Sequence, residues 1–281
     1  MRLLSVFLCC FLLFTGCSGK NKSVSDASVL ESAEEIYQDA MDKMQDQRYS
    51  KAISLFEDLE RTYPYSKLAA KSQIMAAYAN YKAEEYAKAL VAVEQFIKFH
   101  PGHADIAYAY YLKALCYYEQ ISSIKKDQGY AARSKDALTE IIARFPESDY
   151  ARDAQIKLDL VMDRLAGKEI EIGRFYLKKH KYIAAINRFK VVVDDYDTTS
   201  HVAEGLYRMV ESYLSLGVKD EAKKYAAVLG YNYPGSKWYN KAYKLLKGDL
   251  PKVVDGNINI NKDGSFFQFK IPFLGKKEQK D

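Results

Sequence analysis

The amino-acid sequence predicts an all-α chain, a solenoid of about five helix hairpins. Three observations lead there. Apolar residues recur at intervals of three and four, drawing one stripe along each predicted helix. A pattern of small and aromatic residues repeats along the chain, and a proline follows most of the second helices, where it stops them. Composition agrees, since 14 Gly and 6 Pro among 281 residues are too few for an all-β or low-complexity chain. Tyrosine is over-used, with 24 residues against a single Trp. A tyrosine buries its ring at a helix contact while its hydroxyl stays near water, which suits much internal surface and no single deep core.

The chain opens on Arg2 and an apolar run over residues 3–14. That run is shorter than the roughly twenty residues a bilayer-spanning helix needs, and it has the proportions of a secretory h-region. It ends in Phe14-Thr15-Gly16-Cys17. Small residues just before a cysteine resemble the bacterial lipobox, although Phe14 stands where an aliphatic residue is usual. The resemblance implies that residues 1–16 are a signal peptide and that Cys17 is acylated. Ser18 in place of Asp after the cysteine implies sorting to the outer membrane. Acyl chains on Cys17 are the only non-protein group expected, and more than one chain is needed for stable anchoring. Residues 17–30 then form a polar tether; its stretch 18–28 would span roughly 18 Å.

The repeat begins near residue 31. Tyr49, Ala52, Phe56, Leu59 and Tyr63-Pro64 recur as Tyr86, Ala89, Val93, Phe96 and His100-Pro101. A third copy runs Tyr130, Ser134, Leu138, Ile141, Phe145-Pro146, and a fourth Tyr182, Ala185, Phe189, Val192, Tyr196-Asp197. The fifth reads Ala222, Ala226, Leu229, Tyr233-Pro234. Each is preceded by another helix, and in the first four copies that helix carries a small residue at a matching place: Ala40, Ala77, Ala114 and Gly173. Such residues let the two helices of a hairpin approach closely, with Ala52, Ala89, Ala185 and Ala222 serving the second helix. Ser66, Ser148 and Ser236, two residues after a proline, are placed to cap the next helix. Each unit therefore reads helix, turn, helix, stop.

Ala52 to Ala89 and Ala185 to Ala222 are each 37 residues apart. The third unit is longer, with 120–129 inserted between its helices as a longer loop or helix extension. We divide the array into residues 31–165, repeats one to three, and 166–247, repeats four and five. Residues 248–281 leave the helical pattern. There Ile258, Ile260, Phe266, Phe267, Phe269, Ile271 and Phe273 alternate loosely with polar residues around Asp263-Gly264, as in a short hairpin or an irregular, disordered tail that folds on a partner.

Charge and motifs exclude several function classes. The 42 cationic and 37 anionic side chains are interspersed, without the basic stripe that tracks a nucleic acid. The histidines (His100, His103, His180, His201) lack the companions of a zinc site. No nucleophile elbow or phosphate loop occurs, and the paired carboxylates sit on charge-rich helices, so no catalytic residue and no enzyme is expected. Cys116 reads as a small buried hydrophobe. A stacked-hairpin array offers a concave groove instead. The candidate groove residues are Tyr37, Met41 and Met44 in the first unit and Ile74, Tyr78 and Tyr81 in the second, suited to an extended peptide rich in aromatics.

Residues 33–247 resemble a tetratricopeptide-repeat array, although the Trp of that consensus is missing and the Lys/Asn carboxylate clamp of its chaperone-binding members is not reproduced. Taken with the lipobox, the start Tyr37-Gln38-Asp39-Ala40-Met41, the turn Tyr63-Pro64-Tyr65-Ser66 and the stretch from Phe96 to His103, the chain resembles the BamD family of outer-membrane assembly lipoproteins. The resemblance implies a non-catalytic subunit of the β-barrel assembly (BAM) complex, lipid-anchored on the periplasmic face of the outer membrane. Its implied partners are the periplasmic domains of BamA, other Bam lipoproteins and unfolded outer-membrane β-barrel proteins. The N-terminal repeats would take the barrel substrate and the C-terminal repeats the scaffold. Rival expectations are a periplasmic repeat adaptor for cell-wall or pilus secretin assembly, and an unanchored soluble chaperone or enzyme adaptor.

Overall fold

A computed structural model describes residues 32–121 and 129–246, together with the backbone of 253–254 and 257–258. Among the described residues the helices pair as hairpins: α1 (Ala33–Gln45) with α2 (Tyr49–Thr62), α3 (Lys67–Lys82) with α4 (Tyr86–Phe99), and α5 (Ile106–Glu119) with α6 (Gly129–Arg144). Then α7 (Asp149–Lys178) pairs with α8 (Tyr182–Asp195), α9 (Val202–Ser215) with α10 (Lys219–Asn232), and α11 (Lys237–Leu245) closes the array. The positions read from the repeat are the core. Ala52, Phe56 and Leu59 are fully buried, as are their counterparts in the four later units. Burying one Phe or Leu side chain is worth about 1.5–3 kcal/mol.

Ends and turns follow from local chemistry. Ser66, Ser148 and Ser236 each accept a hydrogen bond from a backbone N–H of the helix they open, satisfying a donor that otherwise has no partner in the first turn. Ser32 and Glu35 add a reciprocal capping box at the start of α1. Within four of the hairpins the turn passes through one left-handed residue: Gln47, Glu84, His180 and Gly217, with φ of 59°, 61°, 58° and 77°. At each, the next N–H reaches back five residues to close the helix, for example Arg48 to Lys43 O at 2.8 Å and Lys181 to Tyr176 O at 2.9 Å. Only the last of the four uses glycine.

The small residues work as expected. Ala40, Ala77 and Ala114 are fully buried, and a Cβ at Gly173 would lie 2.3 Å from Phe189 Cε1. That separation is far inside contact distance, so α7 and α8 touch where only glycine fits. The turn after α8 also docks on α7. Ser200 N and Oγ donate to Asp163 Oδ1 at 3.3 and 2.8 Å, and a Cβ on Gly167 would meet His201 Nε2 at 3.1 Å.

Two features differ from the sequence reading. The division at 165/166 falls inside α7, a single 30-residue helix, so the two parts of the array share one continuous element. No Gly or Pro interrupts its apolar stripe at a position that would break it: Ala154, Val161 and Leu165 run into Ile170 and on to Gly173, all buried. In the tail, a two-residue antiparallel ladder pairs Val253 with Ile258 and Val254 with Asn257, upstream of the hairpin expected around Asp263-Gly264, which lies outside the described residues. The expected insertion is described only at its borders: α5 ends at Glu119, and Gln120 Nε2 bonds back to Cys116 O at 2.6 Å.

Candidate functional site

Successive first helices touch one another, α1 on α3, α3 on α5, α5 on α7 and α7 on α9, with α11 packed on α9. Among the described residues no second helix packs extensively on the second helix of the next unit. The row of first helices is therefore the narrower, inner side of the array.

The candidate residues separate into two groups there. Tyr37, Met41 and Met44 are partly buried around Ala40, Ala52 and Phe56. The Tyr37 ring packs on Phe56 at 5.7 Å, with Lys71 Nζ 5.4 Å above it. Tyr78 and Tyr81 flank the next cluster. Ile74 does not belong to a groove. It is 2% exposed, enclosed with Ala77, Val93, Phe96, Ala109 and Leu112. The stripe that carries Tyr78 and Tyr81 also carries Ile74, but its short side chain ends within the core whereas the longer tyrosines emerge from it.

Tyr78 and Tyr81 open a chain of rings that the sequence did not reveal. Tyr86 meets Tyr81 at 5.9 Å, Tyr81 meets Tyr78 at 6.3 Å, and Tyr78 meets Tyr108 of α5 at 6.3 Å. Tyr108 meets Tyr150 of α7 at 5.5 Å, which stacks on Tyr111 at 5.4 Å. The ladder thus crosses three first helices. Its hydroxyls donate to carboxylates, Tyr81 to Glu119 at 3.2 Å and Tyr111 to Asp153. Burial, and then Glu119, pushes the Tyr81 phenol above its ordinary pKa. Burial and Asp153 do the same for Tyr111, and burial with the neighbouring Tyr78 for Tyr108. Lys157, 2.8 Å from Asp153, together with the Tyr111 hydroxyl, holds that carboxyl below the usual range. The surface therefore offers ring faces, with the Tyr81 and Tyr111 hydroxyls donating to fixed carboxylate acceptors beside them.

Next to the ladder, α7 exposes apolar side chains. Asp153, Ile156, Lys157 and Leu160 fall at i, i+3, i+4 and i+7, sharing one face, and Ile156 is 63% and Leu160 52% exposed. A sequence signal for them existed: both lie off the core stripe of Ala154, Val161 and Leu165. A further cleft of about 600 Å³ opens beside the α2–α3 turn, lined by Glu57, Pro64, Ser66, Gln73, Phe99 and His100.

The C-terminal units present different chemistry. Glu204, buried on α9, receives Arg174 of α7 through both of its oxygens, and Arg208 Nε at 3.3 Å. Arg208 also bonds Glu211 at 2.8 Å. Trp238 stacks on Tyr207 at 5.3 Å. Around those rings lie Lys241 Nζ at 4.7 Å, Lys237 Nζ at 5.1 Å and the Arg208 guanidinium at 5.7 Å from the Trp238 centroid. Cys116 is buried and its thiol is pushed up to about 12 by that burial, which removes it from thiolate chemistry. Cys17 lies outside the described residues. Among the described residues no three or more metal-ligating side chains converge, and no helix is long and apolar enough to cross a membrane.

Comparison with known proteins places this architecture. The outer membrane protein assembly factor BamD of Rickettsia prowazekii is 46% identical over 246 residues, covering 88% of this chain and 97% of that one. BamD of Caulobacter vibrioides is 43% identical over 82% of this chain and 76% of its own length, and that of Neisseria gonorrhoeae 33% identical over 85% and 94%. The solved tetratricopeptide-repeat domain of P58(IPK) overlaps 77% of this chain at 15% identity with a TM-score of 0.39, a shallow likeness. The family model YfiO, described as outer membrane lipoprotein, matches residues 30–229. The chain belongs to that family of outer membrane lipoproteins.

Proposed function

We propose that this protein is a non-catalytic assembly factor of the outer membrane, a BamD-type subunit of the BAM complex that helps insert β-barrel proteins. The observation that carries this reading is identity of 46% to a BamD assembly factor along 97% of that relative's length. Cys17 bears the acyl anchor, which holds the array at the periplasmic face without a membrane-crossing helix. Partners are the periplasmic domains of BamA, other Bam lipoproteins and unfolded barrel proteins. The inner face of α3, α5 and the first half of α7 takes extended apolar segments of the barrel substrate, through ring faces and the exposed Ile156 and Leu160. The charged surface of α9 and α11 suits a folded partner whose own charges meet fixed Arg, Glu and Lys groups. No cofactor is called for.

Membrane fractionation tests the anchor: Cys17→Ala moves the protein from the outer-membrane pellet to the soluble periplasm, and globomycin causes the unprocessed form to accumulate. Affinity purification from mildly solubilised membranes tests the assembly role. BamA is expected to co-purify with the tagged protein, and its absence sinks the reading.

A further inference from the structure

We propose that the chain's own tail segment, residues 266–273, occupies the inner face beside Ile156 and Leu160 when no substrate is bound. This rests on the reading of that face as a groove for extended apolar segments. Phe267, Phe269, Ile271 and Phe273 stand at every second position, so an extended backbone puts all four on one side. Gln268 and Lys270 fall on the other. Pro272 lacks an N–H and does not suit the interior of a sheet, so the side chains of this segment are better matched to a surface than to a strand ladder. The face offers what they need: rings from Tyr78 to Tyr111, and two large aliphatic side chains more than half exposed.

The dimensions agree. An eight-residue extended segment measures roughly 27 Å, close to the width of the three first helices that carry the rings, at roughly 10 Å per helix. From α11 the segment must cross α9 to reach α7, about 20 Å at the same spacing. With 253–254 paired to 257–258 as a ladder, about fifteen residues remain as the link, spanning typically roughly 20 Å and at most about 50 Å. The link neither falls short nor has to be stretched. An apolar tail held in the groove would compete with any substrate segment as a linked ligand at high effective concentration, so only segments that bind more tightly would displace it.

The test uses the full chain with a benzoylphenylalanine photo-crosslinker in place of Ile156, read by mass spectrometry. Intrachain products to residues 266–273 are expected. Leu160→Asp, an exposed change, and separately the double change Phe267→Ser with Phe269→Ser, should each lower that yield roughly tenfold, the effect of losing one or two apolar contacts. Thermal melts of each variant verify that the array is intact. Crosslinks between two chains, crosslinks that miss the tail, or an unchanged yield in the double variant overturn the proposal. A synthetic peptide of a β-barrel's last strand separates it from the groove reading. A peptide that labels position 156 only after the tail is changed supports both. Equal labelling in the original and changed chains overturns the tail's occupancy while leaving the groove. A tail crosslink that no amount of peptide diminishes keeps the tail and overturns the groove as a substrate site.

Discussion

Between α3 and the first half of α7, neighbouring units meet mainly through tyrosine rings, with Tyr111 also donating to Asp153, and the inner face beside them keeps aliphatic side chains in water. Between the second half of α7 and α11 they meet through a buried glutamate shared by two arginines and a tryptophan ringed by cations. The repeat is the same in both places, and so are its buried positions. What differs is the face left over once the hairpin core is satisfied. A ring surface accepts many apolar sequences because dispersion and burial are non-directional. A fixed array of charges fits one partner in one orientation, since every mismatched charge is penalised. One backbone plan thus carries a surface of rings and aliphatic side chains and a surface of fixed charges.

Core truncation in either region is the largest perturbation expected. Phe56→Ala and Phe189→Ala should each lose about 3–5 kcal/mol in chemical denaturation, because both side chains are fully enclosed. Because α7 runs through both regions, one unfolding transition is expected for each; two separated transitions would break the picture of a shared helix. Next in size is Glu204→Gln, which leaves Arg174 and Arg208 facing each other without their counter-charge. About 1–3 kcal/mol is expected, discounted because the arginines are partly solvated. Tyr111→Phe in the ring ladder should lose less, about 0.5–1.5 kcal/mol, by removing one hydrogen bond. Equal losses would erase the distinction between the two regions.

Alkaline titration sharpens the same comparison. Tyr81, Tyr108 and Tyr111 have phenols raised in the folded state, so the unfolded chain releases those protons first. Their contribution to stability is fully present below the unfolded value of about 10 and is lost as pH rises from there toward the folded values. Absorbance of phenolate together with helical circular dichroism should show ionisation and unfolding above pH 10 occurring together, and Tyr108→Phe should weaken the dependence. Smallest of all are the hairpin turns. Gln47→Gly, Glu84→Gly and His180→Gly relieve a left-handed conformation and should each stabilise by less than about 1 kcal/mol in thermal melts. A loss would mean that the side chains there contribute more than the backbone strain.

The hairpins, their capping serines and their buried stripe were legible because each depends on spacing within some thirty residues of chain, and the repeat states that spacing five times. Phe56, Val93, Leu138 and Phe189 could be read as equivalent and prove equally enclosed. The inner face was harder to read. Whether Ile74 or Tyr78 reaches water depends on how far each side chain extends past the neighbouring helix, which periodicity does not encode. The ring ladder joins Tyr78, Tyr108 and Tyr150, residues on three helices, and it exists only because of the stacking distance between units. The left-handed turn residues share no identity, as Gln, Glu, His and Gly, so no motif marked them. The length of α7 was hidden for another reason: its middle, between the repeat signatures of units three and four, carries a stripe but no signature of its own.

At a rise of 1.5 Å per residue, α7 is a rod of roughly 45 Å. Leu160 lies exposed on the helix face that carries Asp153, the acceptor of the Tyr111 hydroxyl, and Arg174 reaches Glu204 in the charged region, some 20 Å apart along the same axis. Long helices curve gently, and here one uninterrupted helix, with no loop within it, carries both surfaces. The separation of the two surfaces is thus set by a count of residues along a single piece of backbone, and partners bound at both would be held at that distance.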